Sequence, residues 1–418
     1  MQNFLVYGGK SLNGKLKIES AKNSVLPIIA GSLLTDKPIK IKNVPQISDV
    51  LKMFDILRTM GGTVVFDGDD AIIDNSHIVN FEIPPALAKD IRSSIFMLGP
   101  LIAKFKQAKV AYPGGCDIGS RPIDLHLSGL RDLGVEIKEE HGFIDCCCDR
   151  IRPTIVHLDF PSVGATENIM MASVLSDSVT TILNCAKEPE IVDLANFINA
   201  IGGKIYGAGT STIQIEGVKC LNGGEFQPIS DRIIAGTYLI AGAMTRGNIV
   251  LENTNYEHIY SLIKKMRNSG CKIYIKGDRI HLEAKERLCS IPTIETQPYP
   301  GFPTDLQAPL MAFATISEGT SVITENLFET RFKHATELIK MGADITIRDR
   351  MAIVRGVNTL CGAEVNATDL RGGASLVLAG LVASGETRIN NIEFVDRGYL
   401  KIEEKLQSLG ASITRAGF

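Results

Sequence analysis

The sequence predicts an α/β fold: six copies of one βαβαββ-like unit, three to each of two domains. Three observations lead there. Six amphipathic helical patterns each end in glycine, at positions 61, 134, 202, 270, 342 and 410, spaced by 73, 68, 68, 72 and 68 residues. A constant period near 70 marks internal repetition. Each copy also carries a second, more uniformly apolar helical pattern. Finally, 418 residues exceed one ordinary core and suit two domains of about 200 residues.

The first helix of each unit reads as Leu57-Arg58-Thr59-Met60-Gly61 or Met266-Arg267-Asn268-Ser269-Gly270. Its glycine is the cheapest residue for a left-handed C-terminal cap, which turns the chain straight into a strand. The segments that follow, such as Cys271-Lys272-Ile273-Tyr274-Ile275, alternate as half-buried strands do. The second helices, near 24–34, 93–103, 168–175, 232–244, 306–316 and 374–383, are apolar on nearly every face and are expected inside. Gly223-Gly224 and the aperiodic stretch to Ser230 mark a boundary, giving one domain over 22–229 and a second over 230–418. The loops entering the buried helices are polar or small: Ala21-Lys22-Asn23, Lys89-Asp90-Ile91-Arg92, Val163-Gly164-Ala165, Ser230-Asp231-Arg232, Pro303-Thr304-Asp305 and Thr368-Asp369-Leu370-Arg371. Helix N-termini are natural anion sites, and these loops are expected to line an interdomain cleft.

A net charge of −3 argues against a general nucleic-acid binder but not against anionic substrates, which need only local cations. Residues 1–10 lack a basic segment followed by an apolar run, and no apolar stretch is long enough to span a bilayer. A cytoplasmic, membrane-free protein is expected. Nine cysteines include the run Cys146-Cys147-Cys148. In a strand these alternate faces and cannot converge on a metal. Most of the thiols are expected to be small buried hydrophobes, and no metal or organic cofactor is implied.

One thiol differs. The loop Tyr112-Pro113-Gly114-Gly115-Cys116-Asp117-Ile118-Gly119-Ser120-Arg121-Pro122 is rich in Gly and Pro, as reactive surface loops are. Arg121 would favour a thiolate or hold an anion beside it. The string from Pro113 to His126 closely resembles the active-site loop of the UDP-N-acetylglucosamine 1-carboxyvinyltransferases, a family of enolpyruvyl transferases. The resemblance spans the chain. It includes Ala21-Lys22-Asn23, Ser162-Val163-Gly164-Ala165-Thr166, Glu188-Pro189-Glu190, Tyr299-Pro300-Gly301-Phe302-Pro303-Thr304-Asp305, Ala367-Thr368-Asp369-Leu370-Arg371 and Asp396-Arg397-Gly398-Tyr399.

The resemblance implies an inside-out α/β barrel of two threefold domains, with residues 1–21 returning to the second. It implies transfer of the enolpyruvyl group of phosphoenolpyruvate to UDP-N-acetylglucosamine in peptidoglycan (cell-wall) synthesis, by a protein expected to be monomeric. Phosphoenolpyruvate carries phosphate and carboxylate on three carbons, so its site needs several cations. The family motifs place Lys22, Arg121 and Arg397 there, with Asn23 as a neutral donor; without the family, Lys22 and Arg397 would read as solvated charges. Asp305 matches the base for the sugar hydroxyl and Cys116 the proton donor. Asp305 also reads as a helix N-cap, and the two roles are compatible. Arg121-Pro122-Ile123-Asp124-Leu125 and Arg92 match nucleotide contacts, Ser162-Val163-Gly164 the diphosphate path and Leu327 an apolar sugar contact. Arg331, Asp369 and Arg371 match residues that respond to closure. Phe160 stands where some relatives carry Lys, and His126 reads equally as structural or catalytic.

Two alternatives remain at this point: the sister enzyme acting on shikimate 3-phosphate, and a non-catalytic nucleotide-sugar binder. Cys116 within Pro-Gly-Gly-Cys disfavours the first, and the joint presence of Cys116, Lys22, Asp305 and Arg397 the second.

Overall fold

A computed structural model describes residues 2–114 and 123–417. The chain divides into two compact units, one of residues 20–114 and 123–229, the other of residues 2–19 and 230–417. The second unit is discontinuous because strands Asn3–Tyr7 and Asn13–Lys17 pair within its sheets.

The repeat is most complete over 293–355. Strand Thr293–Glu295 leads through a buried helix to strand Thr320–Thr324, then through the outer helix Lys333–Lys340 to the hairpin Asp344–Arg348 and Met351–Arg355. The first two strands are parallel and the others antiparallel. This is a βαβαββ order; five of the six sheets among the described residues have four strands, and the sixth, of Gln107–Ala111, Glu136–Glu140 and Phe143–Cys147, has three. Asn13–Lys17 supplies the parallel first strand beside Asn248–Glu252. Asn3–Tyr7 sits between Glu386–Asn390 and Ser412–Ala416. Gly223-Gly224, at the start of the stretch to Ser230 read as the boundary, leads into an edge strand, Gly224–Phe226, that pairs with Ile39–Ile41. The two units divide between Ile229 and Ser230.

All six outer helices end alike. Gly61, Gly134, Gly202, Gly270, Gly342 and Gly410 have φ between 88° and 108°. In each case the glycine N–H bonds the carbonyl three residues back, and the next N–H bonds the carbonyl five residues before itself, as in Gly270→Arg267 (3.1 Å) and Cys271→Met266 (3.1 Å). This Schellman closure satisfies orphan carbonyls at the helix end and aims the chain into the following strand.

The apolar helices lie inside. In the first unit they are α1 (Lys22–Gly31), α2 (Leu98–Phe105, preceded by a 3-10 turn Arg92–Met97) and α3 (Val163–Val174). In the second they are α4 (Arg232–Met244), α5 (Gln307–Ile316) and α6 (Leu370–Gly380). Every residue of α4 is buried, including Arg232, so no face was left for a polar stripe. Of the eight cysteines among the described residues, Cys146, Cys185 and Cys271 are buried, whereas Cys147, Cys220, Cys289 and Cys361 are exposed. The expectation that most are core residues is thus corrected. In strand Phe143–Cys147 the pleat turns Cys146 inward and Cys147 outward.

Candidate active-site residues

In the first unit, Lys22 is the opening residue of α1, 8% exposed, and its Nζ lies 2.6 Å from Asp49 Oδ2. A cation at the positive end of a helix is poorly placed. Asp49, near the start of helix Ser48–Thr59, offsets it. The pair is buried on both sides, so Lys22 is no solvated charge. Asn23 beside it is exposed. Arg92 is half-buried at the start of the 3-10 turn preceding α2.

The entry to α3 is capped by Ser162, whose side chain accepts the Ala165 N–H at 3.3 Å. Ser162, Val163 and Gly164 are half-buried, and Phe160 is exposed. Gly164 faces the His126 ring: a Cβ there would lie 2.8 Å from His126 Cε1 and 3.1 Å from Nε2. A side chain at 164 would displace the ring, which accounts for glycine. His126 belongs to helix Asp124–Asp132, preceded by buried Ile123; Asp124 is exposed and Leu125 half-buried. Cys116, Arg121 and Pro122 lie outside the described residues.

In the second unit, Asp305 lies in the 3-10 turn Thr304–Leu306 that leads into α5. It caps neither the turn nor the helix, correcting the N-cap expectation. Its carboxylate instead accepts from Arg331 Nη2 at 2.9 Å and from Arg371 Nη2 at 3.0 Å. Both arginine side chains are nearly buried, while that of Asp305 is 27% exposed. Burial alone would raise the carboxyl pKa, but the charges of Arg371 and Arg331 outweigh it and hold the group well below the ordinary carboxylate range.

Asp369 caps α6, accepting the N–H groups of Arg371 and Gly372, each at 3.0 Å. The Arg371 guanidinium lies 5.4 Å from the centre of the Tyr399 ring, whose hydroxyl meets Thr237 Oγ1 at 3.0 Å. Arg371 Nε and Nη1 have no hydrogen-bond partner among the described residues. Burial opposes the guanidinium charge, yet Asp305 more than compensates, so Arg371 remains a cation with donors to spare. Arg397, half-buried, follows helix Glu393–Asp396.

Three residues escaped the sequence reading. Asp49 is one. Glu325 is another, a fully buried carboxylate accepting from Thr296 Oγ1, Thr304 Oγ1, Leu327 N and Phe328 N. It ties the turn of Asp305 to the backbone of half-buried Leu327. Its signal was only an acid at a strand end. The third, His334, is fully buried without a hydrogen-bond partner for either ring nitrogen among the described residues. Burial pushes its pKa down to about 4, Arg331 adding to the depression and Asp369 opposing it.

Among the described residues no cluster of His, Cys, Asp and Glu is arranged to hold a metal, and no helix is long and apolar enough to cross a membrane. In the second unit the chemistry on offer is that of two nearly buried arginines around a partly exposed carboxylate.

The profile of the EPSP synthase (3-phosphoshikimate 1-carboxyvinyltransferase) family matches residues 6–406. A UDP-N-acetylglucosamine 1-carboxyvinyltransferase 2 of Caldanaerobacter subterraneus subsp. tengcongensis is 50% identical over 415 residues, covering 99% of this chain and 100% of that relative. One of Clostridium tetani is 49% identical over 417 residues, covering 99% and 100%. Among solved structures, the enolpyruvyl transferase NikO from Streptomyces tendae superposes with a TM-score of 0.88 at 23% identity, covering 99% of both chains. EPSP synthase from Acinetobacter baumannii gives 0.75 at 20% identity, covering 100% of both.

Proposed function

The chain belongs to the UDP-N-acetylglucosamine 1-carboxyvinyltransferase family, and on that premise we propose that it transfers the enolpyruvyl group of phosphoenolpyruvate to the 3′-hydroxyl of UDP-N-acetylglucosamine, releasing phosphate. This is the first committed step of peptidoglycan synthesis. The observation that carries the reading is identity near 50% along essentially the whole chain with enzymes of that name. The likeness to EPSP synthase, at 20% identity, bears on the fold alone.

The sugar oxygen attacks C2 of phosphoenolpyruvate as C3 gains a proton, giving a tetrahedral adduct. Loss of the C3 proton and of phosphate from C2 then restores the double bond in the product. Cys116 delivers the proton to C3. Lys22, Arg121 and Arg397, with Asn23, hold the phosphate and carboxylate. Asp305 takes the hydroxyl proton. Clamped between Arg331 and Arg371 it is a weak base, so an anionic ligand that draws the spare donors of Arg371 toward itself raises its basicity. Arg92 and the segment Arg121-Pro122-Ile123-Asp124-Leu125 hold the nucleotide, Ser162-Val163-Gly164 the diphosphate, and Leu327 the sugar. With Phe160 in place of Lys, diphosphate neutralisation falls to Arg121 and the N-terminus of α3.

A coupled phosphate-release assay tests the reading with phosphoenolpyruvate and each acceptor in turn. Release with UDP-N-acetylglucosamine is expected. Release with shikimate 3-phosphate alone overturns the assignment, and binding of the nucleotide sugar without any release makes the chain a non-catalytic binder.

A further inference from the structure

His126 has not been assigned a role, and its surroundings fix its protonation. Asn168 of α3, fully buried, accepts the Gly99 N–H on Oδ1 at 2.9 Å and donates from Nδ2 to the Ile95 carbonyl at 2.9 Å. Both bonds set the amide the same way round; a flipped amide would oppose donor to donor and acceptor to acceptor. The second Nδ2 proton then points at His126 Nδ1, 2.8 Å away. That nitrogen is the acceptor, so the proton of the neutral ring sits on Nε2. The Nε2 edge lies at the first turn of α3, against Gly164, where a methyl group would come within 3.1 Å of it. The ring is 6% exposed, an oriented donor rather than a surface group.

We propose that Asn168 is a positioning residue that holds His126 as its Nε2–H tautomer, and that this N–H donates a hydrogen bond to the diphosphate of the nucleotide sugar. The inference rests on the nucleotide-sugar reading above. A diphosphate passing the N-terminus of α3 meets the backbone amides behind Ser162 and, beside them, a neutral donor with fixed direction. The glycine at 164 gives the ring room to lie there.

The test compares wild type with His126→Leu and His126→Gln, whose amide reaches the Nε2 position. Calorimetric titration with UDP and with uridine separates diphosphate contacts from base and ribose contacts. Loss of one hydrogen bond to a charged group should weaken UDP binding by about tenfold or more, with uridine affinity within about twofold and most of the loss recovered by Gln. Nitrogen-detected NMR of the imidazole in wild type should show Nδ1 unprotonated. Equal losses for UDP and uridine, an unchanged UDP affinity in His126→Leu, or a proton on Nδ1 would each overturn the inference while leaving the transferase reading intact. A wild-type protein that neither binds UDP nor releases phosphate removes the reading, and this inference with it.

Discussion

Asp305 and Arg371 are locked together, Oδ2 to Nη2 at 3.0 Å, and Arg331 occupies the other carboxylate oxygen at 2.9 Å. The residue matched to the base of the reaction therefore rests in a form that is fully charged and poorly basic. Asp305→Asn should remove turnover by at least about a hundredfold. It should also lower stability by about 3 kcal/mol, because two buried guanidinium groups lose their counter-charge. Phosphate release and urea denaturation measure the two effects; loss of activity without loss of stability would mean the ion triad is energetically idle.

Lys22 and Asp49 should behave as one unit. A double-mutant cycle over Lys22→Met and Asp49→Asn is expected to give a coupling of about 1–3 kcal/mol in unfolding free energy. Additive effects would contradict the buried 2.6 Å contact.

Thiol selectivity gives a third expectation. Burial pushes Cys146 and Cys271 up to about 12 and Cys185 up to about 11, which suppresses their thiolates. The phosphonate epoxide fosfomycin should add once, at Cys116, and Cys116→Ser should abolish the adduct. Intact-mass and peptide mapping read this directly, and an adduct on exposed Cys147, Cys220, Cys289 or Cys361 would count against Cys116 as the reactive thiol.

Asp193 supplies a pH signature. It is buried, accepts from Ser24 Oγ and from Ile229 N (3.0 Å), and burial outweighs these bonds to push its pKa up to about 6. The carboxyl is neutral in the fold at pH values where the unfolded chain already ionises it. Its contribution is therefore full below about pH 4 and is lost as pH rises through about 6. Asp193→Asn should stabilise the protein above that window by up to about 3 kcal/mol, with no gain below pH 4. Thermal melts across pH check the sign.

Gly342 has φ 91° and open space where a Cβ would stand. Gly342→Ala should thus report backbone strain alone, about 1–2 kcal/mol of destabilisation, measured by denaturant midpoint.

The glycine caps were readable because a left-handed residue has essentially one inexpensive solution, and six copies repeat it. The buried helices were readable because apolar residues cover every face; the 232–244 segment agrees to the residue with α4. Lys22 and Asp305 were legible only through motif. Asp49, Glu325 and His334 carry no local pattern: each is defined by partners or surroundings distant in sequence, such as Thr296 for Glu325.

The strand Asn3–Tyr7 lies between partners drawn from the last 33 residues, with Phe4 opposite Ile389 on one side and Arg415 on the other. During translation this strand therefore leaves the ribosome well before either of its partners is made. At about 5–20 residues per second, it waits tens of seconds as an unpaired edge while residues 20–229 are already free to collapse. Until then the strand has no neighbour to pair with, and an unpaired strand is a template for pairing with other chains; an extension fused there is carried through the final closure of a sheet.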